Sequence, residues 1–198
     1  MFYMNNFIVN SEIDFFNLLF PILSKFKPTD YANFNEKLKT LNKRFPKKSK
    51  TLTGNYFKDI ININEPRLLV IIGHLYIDYL LSKYISKNDP SIRQKRIDRM
   101  RFKQKLEYVN KNNLISKNNY ETMDSLNKLR NQFAHDIFYT IENWNAKTIP
   151  YVVENNLHIP KRKDLLKQFN IAIIKTAFQV ILVQMTKTAD WINLENMK

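Results

Sequence analysis

The sequence predicts an all-α protein, an antiparallel helical bundle behind an N-terminal helical extension. Three observations carry this. Only two glycines, Gly54 and Gly73, occur in 198 residues. Long stretches repeat their apolar residues at intervals of three and four, the helical period. Hydrophobic residues make up 44% of the chain, enough at this length to build a core without disulfides or metals.

Each element follows in order. Ser11 can cap a first helix over 11–26, interrupted at Pro21, and an amphipathic segment covers 31–44. A basic linker over 42–58 holds Lys43, Arg44, Lys47, Lys48 and Lys50. Residues 1–58 thus form an extension, and 59–198 the bundle. The stretch 65–85 is apolar nearly all round, with Pro66 in its first turn, and reads as the buried central helix. Helix resumes near Arg99 and runs to Asn112. Leu114, Ile115 and Ser116 then connect to a helix ending between Arg130 and His135. From 138 to 160 the helical period is lost. Tyr139, Thr140 and Ile141, like Tyr151, Val152 and Val153, read as short strands or an extended loop, with room for a β-hairpin. Asp164 caps a last helix with Leu166, Phe169, Ile173, Ala177, Ile181 and Met185 at core spacing.

Composition removes several chemistries. The absence of cysteine excludes disulfide frameworks, thiol nucleophiles and cysteine-based zinc sites. Gly54 and Gly73 are too far apart for a GxxxxGK or GxGxxG phosphate loop. No basic n-region with an apolar stretch opens the chain, so a cytoplasmic location is expected. His74 and Asp78 interrupt one apolar segment, and Lys175, Gln179 and Gln184 the other, so neither reads as a clean membrane span. The 32 Lys and Arg against 18 Asp and Glu give +14, which favours a polyanionic partner.

Three histidines, His74, His135 and His158, limit imidazole chemistry. On the central helix Arg67, His74 and Asp78 fall within about 40° of one another, a polar stripe on an apolar helix. It is either a structural network or the wall of a site; His74 and Asp78 alone make at most half a metal face. The sharper signal is Arg130-Asn131-Gln132-Phe133-Ala134-His135. In one regular helix Arg130 and His135 lie about 140° apart, whereas Asn131 and His135 share a face. Either the helix unwinds after Asn131, or a second copy completes the pair at a two-fold interface. Without a metal, an arginine and a histidine suit phosphodiester cleavage. Imidazole exchanges a proton with the attacking 2′-hydroxyl or the leaving oxygen, and guanidinium steadies the phosphate charge. The plainer alternative pairs Arg130 with Asp124 or Asp136 and leaves His135 capping the helix.

At these residues the sequence resembles the HEPN superfamily, whose hallmark is R-x4-6-H, usually with Asn, Asp or His after the arginine. More specifically it looks like the mannitol-repressor-like branch. There an F-x-x-K-(L/I) segment and a Gly/Asn-Leu-Ile-Ser segment precede the motif; here they are Phe102, Lys105 and Leu106, then Asn113, Leu114, Ile115 and Ser116. Asp78 best matches the acidic residue embedded in the family's apolar helix, and the resemblance covers residues 60–190. It implies a dimerising helical bundle and, in active members, an RNA endonuclease that needs no metal or cofactor. His135 would move the proton, Arg130 hold the scissile phosphate, and Asn131 orient either one. Family members commonly serve as toxins or abortive-infection effectors, which brings in an inhibitor or a phage-encoded trigger as partners. Mannitol-repressor-like members include regulators, so a catalytically silent module binding nucleic acid or protein is the alternative. Residues 1–58 have no counterpart.

The charge map suits RNA. Arg93, Lys95, Arg96, Arg99, Arg101, Lys103 and Lys105 form a run opposed only by Asp98, and Lys161, Arg162 and Lys163 precede the last helix. They are either solvated helix faces or an RNA backbone track. Phe133, Phe138, Tyr139 and Trp144 are either core or stacking surfaces for unpaired bases.

Overall fold

Proline sets the start of the first helix. α1 (Pro66–Asn88) begins where the missing N–H of Pro66 has no helical partner to lose, and the Glu65 carboxylate accepts from the N–H groups of Arg67 at 3.0 Å and Leu68 at 2.5 Å. The computed structural model describes Ile60 and residues 63–187. The expected helices over 11–26 and 31–44 and the basic linker over 42–58 lie outside the described residues. Within them every regular element is helical, with no strand.

The helix expected over 99–112 forms over Phe102–Lys111, and a short helix that the sequence did not suggest precedes it. α2 (Gln94–Arg99) is a short turn anchored by buried Ile97, and α3 (Phe102–Lys111) follows after a break at Met100. Gln104 marks the restart by accepting the Arg101 N–H at 2.8 Å. Asn113 takes φ 55°, a left-handed residue that ends α3. Ser116 then caps α4 (Lys117–His135) through the Asn119 N–H at 3.3 Å.

No strand forms at either expected site before the last helix: Tyr139 and Thr140 lie in a loop, the alternative expected there, and Ile141, Tyr151, Val152 and Val153 lie in helical turns. Ile141–Asn143 and Ala146–Thr148 are 3-10 turns, and Tyr151, Val152 and Val153 lie in α5 (Pro150–Glu154). Their β-branched and aromatic residues favour strands in isolation, but tertiary anchoring decides. Pro150 fixes a helical φ at the first turn, and Ile141, Trp144, Ala146, Ile149 and Val152 are buried at spacings of two and three. The Asn170 amide, itself fully buried, donates to the carbonyls of Ile141 at 2.8 Å and Trp144 at 3.3 Å, pinning the first turn to the last helix.

That last helix, α6 (Lys163–Lys187), is the most enclosed element; every residue from 169 to 179 is buried. Asp164 lies inside its first turn rather than at the cap, and pairs with Arg162 at 2.7 Å. α1, expected to be buried all round, is instead covered on one side by α3, α4 and α6. Leu68, Ile71 and Leu75 are left 46–61% exposed. By length and mean hydropathy, α1 and Lys163–Leu182 both reach the range of a membrane span despite their polar interruptions, and 44% and 72% of their most apolar windows are buried.

α1 and α6 approach closely because Gly73 carries no side chain. A Cβ there would overlap the Phe178 ring, which is fully buried. Gly73→Ala is therefore expected to destabilise the protein by about 1–3 kcal/mol, overpacking outweighing alanine's better helix propensity. Urea denaturation of the two proteins measures the difference.

Candidate functional site

The polar stripe of α1 separates into three different contacts. Arg67 reaches the C-terminal end of α4. Its guanidinium donates to the carbonyls of Phe133 at 2.7 Å, Asp136 at 3.2 Å, Ile137 at 2.5 Å and Tyr139 at 3.0 Å, and lies 5.1 Å over the Phe133 ring. Carbonyls left over at a helix end are thus satisfied by a cation, the favourable sign for that end of the dipole. Asp78 instead pairs with Lys105 of α3 at 2.7 Å. Lys105 is only 4% exposed, because it falls within the apolar face made by Phe102, Leu106 and Val109.

His74 faces α4. Its Nε2 lies 3.1 Å from Oδ1 of Asn127, and its ring stacks on Phe102 with centroids 4.1 Å apart. Burial holds its pKa below the ordinary imidazole value; the Asn127 hydrogen bond and Asp78 oppose this, while the charges of Arg130 and Lys105 add to it. Below the ordinary imidazole pKa the unfolded chain takes up a proton that folded His74 resists, so stability falls as pH drops through that range. Denaturation midpoints measured between pH 7.5 and 5.5 should decline, and His74→Gln should reduce that slope.

α4 runs unbroken through Arg130, Asn131 and His135. One of the two expected routes to convergence, unwinding after Asn131, is therefore closed. Asn131 is half-buried and accepts from the Arg130 guanidinium at 3.2 Å, while His135 is exposed in the final turn. The carboxylates expected to neutralise Arg130 are engaged elsewhere. Asp124 pairs with Lys103 at 2.7 Å and Lys128 at 2.8 Å, and Asp136 accepts the Phe138 N–H at 2.8 Å. Arg130 has no carboxylate partner among the described residues.

The cationic run is likewise divided. Arg93, Lys95, Arg96, Arg99 and Arg101, on α2 and its flanks, are exposed and form no ion pair among the described residues. Lys103 is held by Asp124, by Glu107 at 3.1 Å and by the Tyr120 hydroxyl at 3.1 Å. Partial burial would lower its pKa, but these three contacts outweigh it and hold the ammonium well above its ordinary value. Lys161 and Lys163 are exposed, and Arg162 is committed to Asp164. Of the aromatics, Phe133 and Trp144 belong to the core, and Tyr139 packs edge-on against Phe133 at 5.5 Å. Phe138 is 87% exposed at a cleft of about 320 Å³ that Arg67, Phe133, Glu142 and Lys167 also line.

No family model matches the chain, and no curated protein or solved structure matches it. Among the described residues no three histidine, aspartate or glutamate side chains gather to hold a metal ion. His74 and Asp78 turn to Asn127 and Lys105. Asn127 is the member of the site that sequence reasoning missed, and Lys105, expected in the cationic run, is buried against Asp78. Asn127 sits four residues before Asn131, on the same helix face, and Lys105 lies inside the spacing of Phe102, Leu106 and Val109.

Proposed function

We propose that the protein is a HEPN-type RNA endonuclease that needs no metal, acting as a dimer whose site joins Arg130 of one copy to His135 of the other. One observation carries the reading: Arg130 donates to Asn131, its charge is felt at His74, and among the described residues no carboxylate neutralises it. A positioned but uncompensated guanidinium is equipped for an anion, and its planar fork matches a phosphate. The unbroken α4 keeps His135 from that phosphate within one chain, so the second copy supplies it. Exposed Leu68, Ile71 and Leu75 offer apolar area beside the site for that contact.

The α2 cations, with Lys161 and Lys163, supply a track for the RNA backbone, and Phe138 a ring on which an unpaired base stacks. The biological setting we propose is a cytoplasmic toxin or abortive-infection effector, restrained by an inhibitor or released by a phage component. Purified full-length protein should cleave single-stranded RNA in EDTA and leave 2′,3′-cyclic phosphate ends. His135→Ala should abolish cleavage with the fold retained, as read by circular dichroism. Cleavage by His135→Ala at the wild-type rate contradicts the assignment.

A further inference from the structure

We propose that His74 is a second imidazole of this site, taking the proton of the attacking 2′-hydroxyl at the phosphate held by Arg130 of its own chain. The inference rests on the ribonuclease reading above and divides its two proton transfers between two histidines.

The geometry favours His74 over His135 for the base. His135 projects about 140° away from Arg130 around α4. His74 approaches the same stretch of α4 from α1, through Asn127, which lies three residues before Arg130. The imidazole is fixed on two sides, by the Phe102 ring and by the Asn127 amide. An amide oxygen only accepts, so the contact to Oδ1 places the proton on Nε2 and leaves a lone pair on Nδ1. The His74 side chain makes no other hydrogen bond among the described residues.

Among the described residues Asp78 is the carboxylate whose charge bears on His74, and it is paired with Lys105; Lys105 from α3 and Arg130 from α4 are both cations. Burial, helped by the charges of Arg130 and Lys105, lowers the His74 pKa and so favours the neutral imidazole, the form a general base requires.

The step balances. Nδ1 of His74 takes the 2′-hydroxyl proton as the 2′-oxygen bonds to phosphorus. The bond from phosphorus to the 5′-oxygen breaks, and that oxygen takes a proton from the imidazolium of His135 on the second copy. Arg130 bears the charge on the non-bridging oxygens. The products are a 2′,3′-cyclic phosphate and a 5′-hydroxyl, and water resets the two histidines.

His74→Gln tests this, because glutamine keeps an N–H to offer Asn127 but removes the Nδ1 base. Rates of the full-length dimer are measured on an RNA dinucleotide and on uridine 3′-(4-nitrophenyl phosphate), whose leaving group needs no proton. His74→Gln should be slowed by about 10²- to 10⁴-fold on both substrates, and His135→Gln only on the dinucleotide. A separate readout does not depend on the variant folding: imidazole nitrogen shifts of the wild-type protein at pH 7 should show His74 neutral with its proton on Nε2. A charged His74, or one with its proton on Nδ1, overturns the inference. So does a His74→Gln protein that matches wild type on the activated substrate, and in that case the ribonuclease reading stands. Wild-type protein inert on both substrates removes the ribonuclease reading and the inference together.

Discussion

Replacing Arg130 with alanine is expected to slow RNA cleavage by about 10²- to 10³-fold, the cost of losing one preorganised donor aimed at transition-state charge. Arg130→Lys should recover only part of this, since an ammonium keeps the charge but loses the two-pronged geometry. Single-turnover rates on a short single-stranded RNA measure both. The same variant has an effect that requires no catalysis. The Arg130 charge is one of the influences lowering the His74 pKa, so removing it should move that pKa upward, as proton NMR titration would read. An unchanged His74 titration would mean that the two groups do not sense each other.

The second large effect is expected at Arg67, distant in sequence from the motif it supports. Its guanidinium satisfies four carbonyls at and beyond the end of α4 and lies over Phe133. Arg67→Ala should cost about 2–3 kcal/mol, the scale of hydrogen bonds from a charged donor. For a domain of this size that is roughly 5–10 °C in Tm. Arg67→Lys should restore little, because one ammonium cannot span carbonyls spread from Phe133 to Tyr139. Cleavage should fall in parallel, since His135 sits in the turn that Arg67 ties down. Calorimetry and the cleavage assay on the same preparations separate the two losses.

Local signals in the sequence marked the helix boundaries where a cap or proline sets them. Pro66 begins α1, Ser116 begins α4, and α4 ends at His135, as the spacing suggested. The segment from Ile141 to Val153 forms helical turns although its β-branched and aromatic residues carry strand preference. Its conformation is set by contacts from far along the chain, chiefly the amide of Asn170. The polar stripe was visible as a periodicity, but its three partners were not. Arg67 reaches across 66 residues to Phe133, His74 across 53 to Asn127, and Asp78 across 27 to Lys105. Lys105 shows the limit of reading charge by runs: it stands among exposed cations in the sequence and is buried in the fold. Arg130 shows the converse, since both carboxylates near it in sequence are committed to other groups.

The unbroken α4 makes the shared site directly testable by mixing two inactive proteins. In a dimer of one Arg130→Ala chain and one His135→Ala chain, one site lacks both groups and the other is intact. Co-expression of the two variants should therefore restore roughly a quarter of wild-type cleavage, with half of the dimers mixed and one good site in each. Each variant alone should remain inactive. A co-expressed mixture as inactive as its parents, with mixed dimers verified by mass, would contradict a site shared between Arg130 of one copy and His135 of the other.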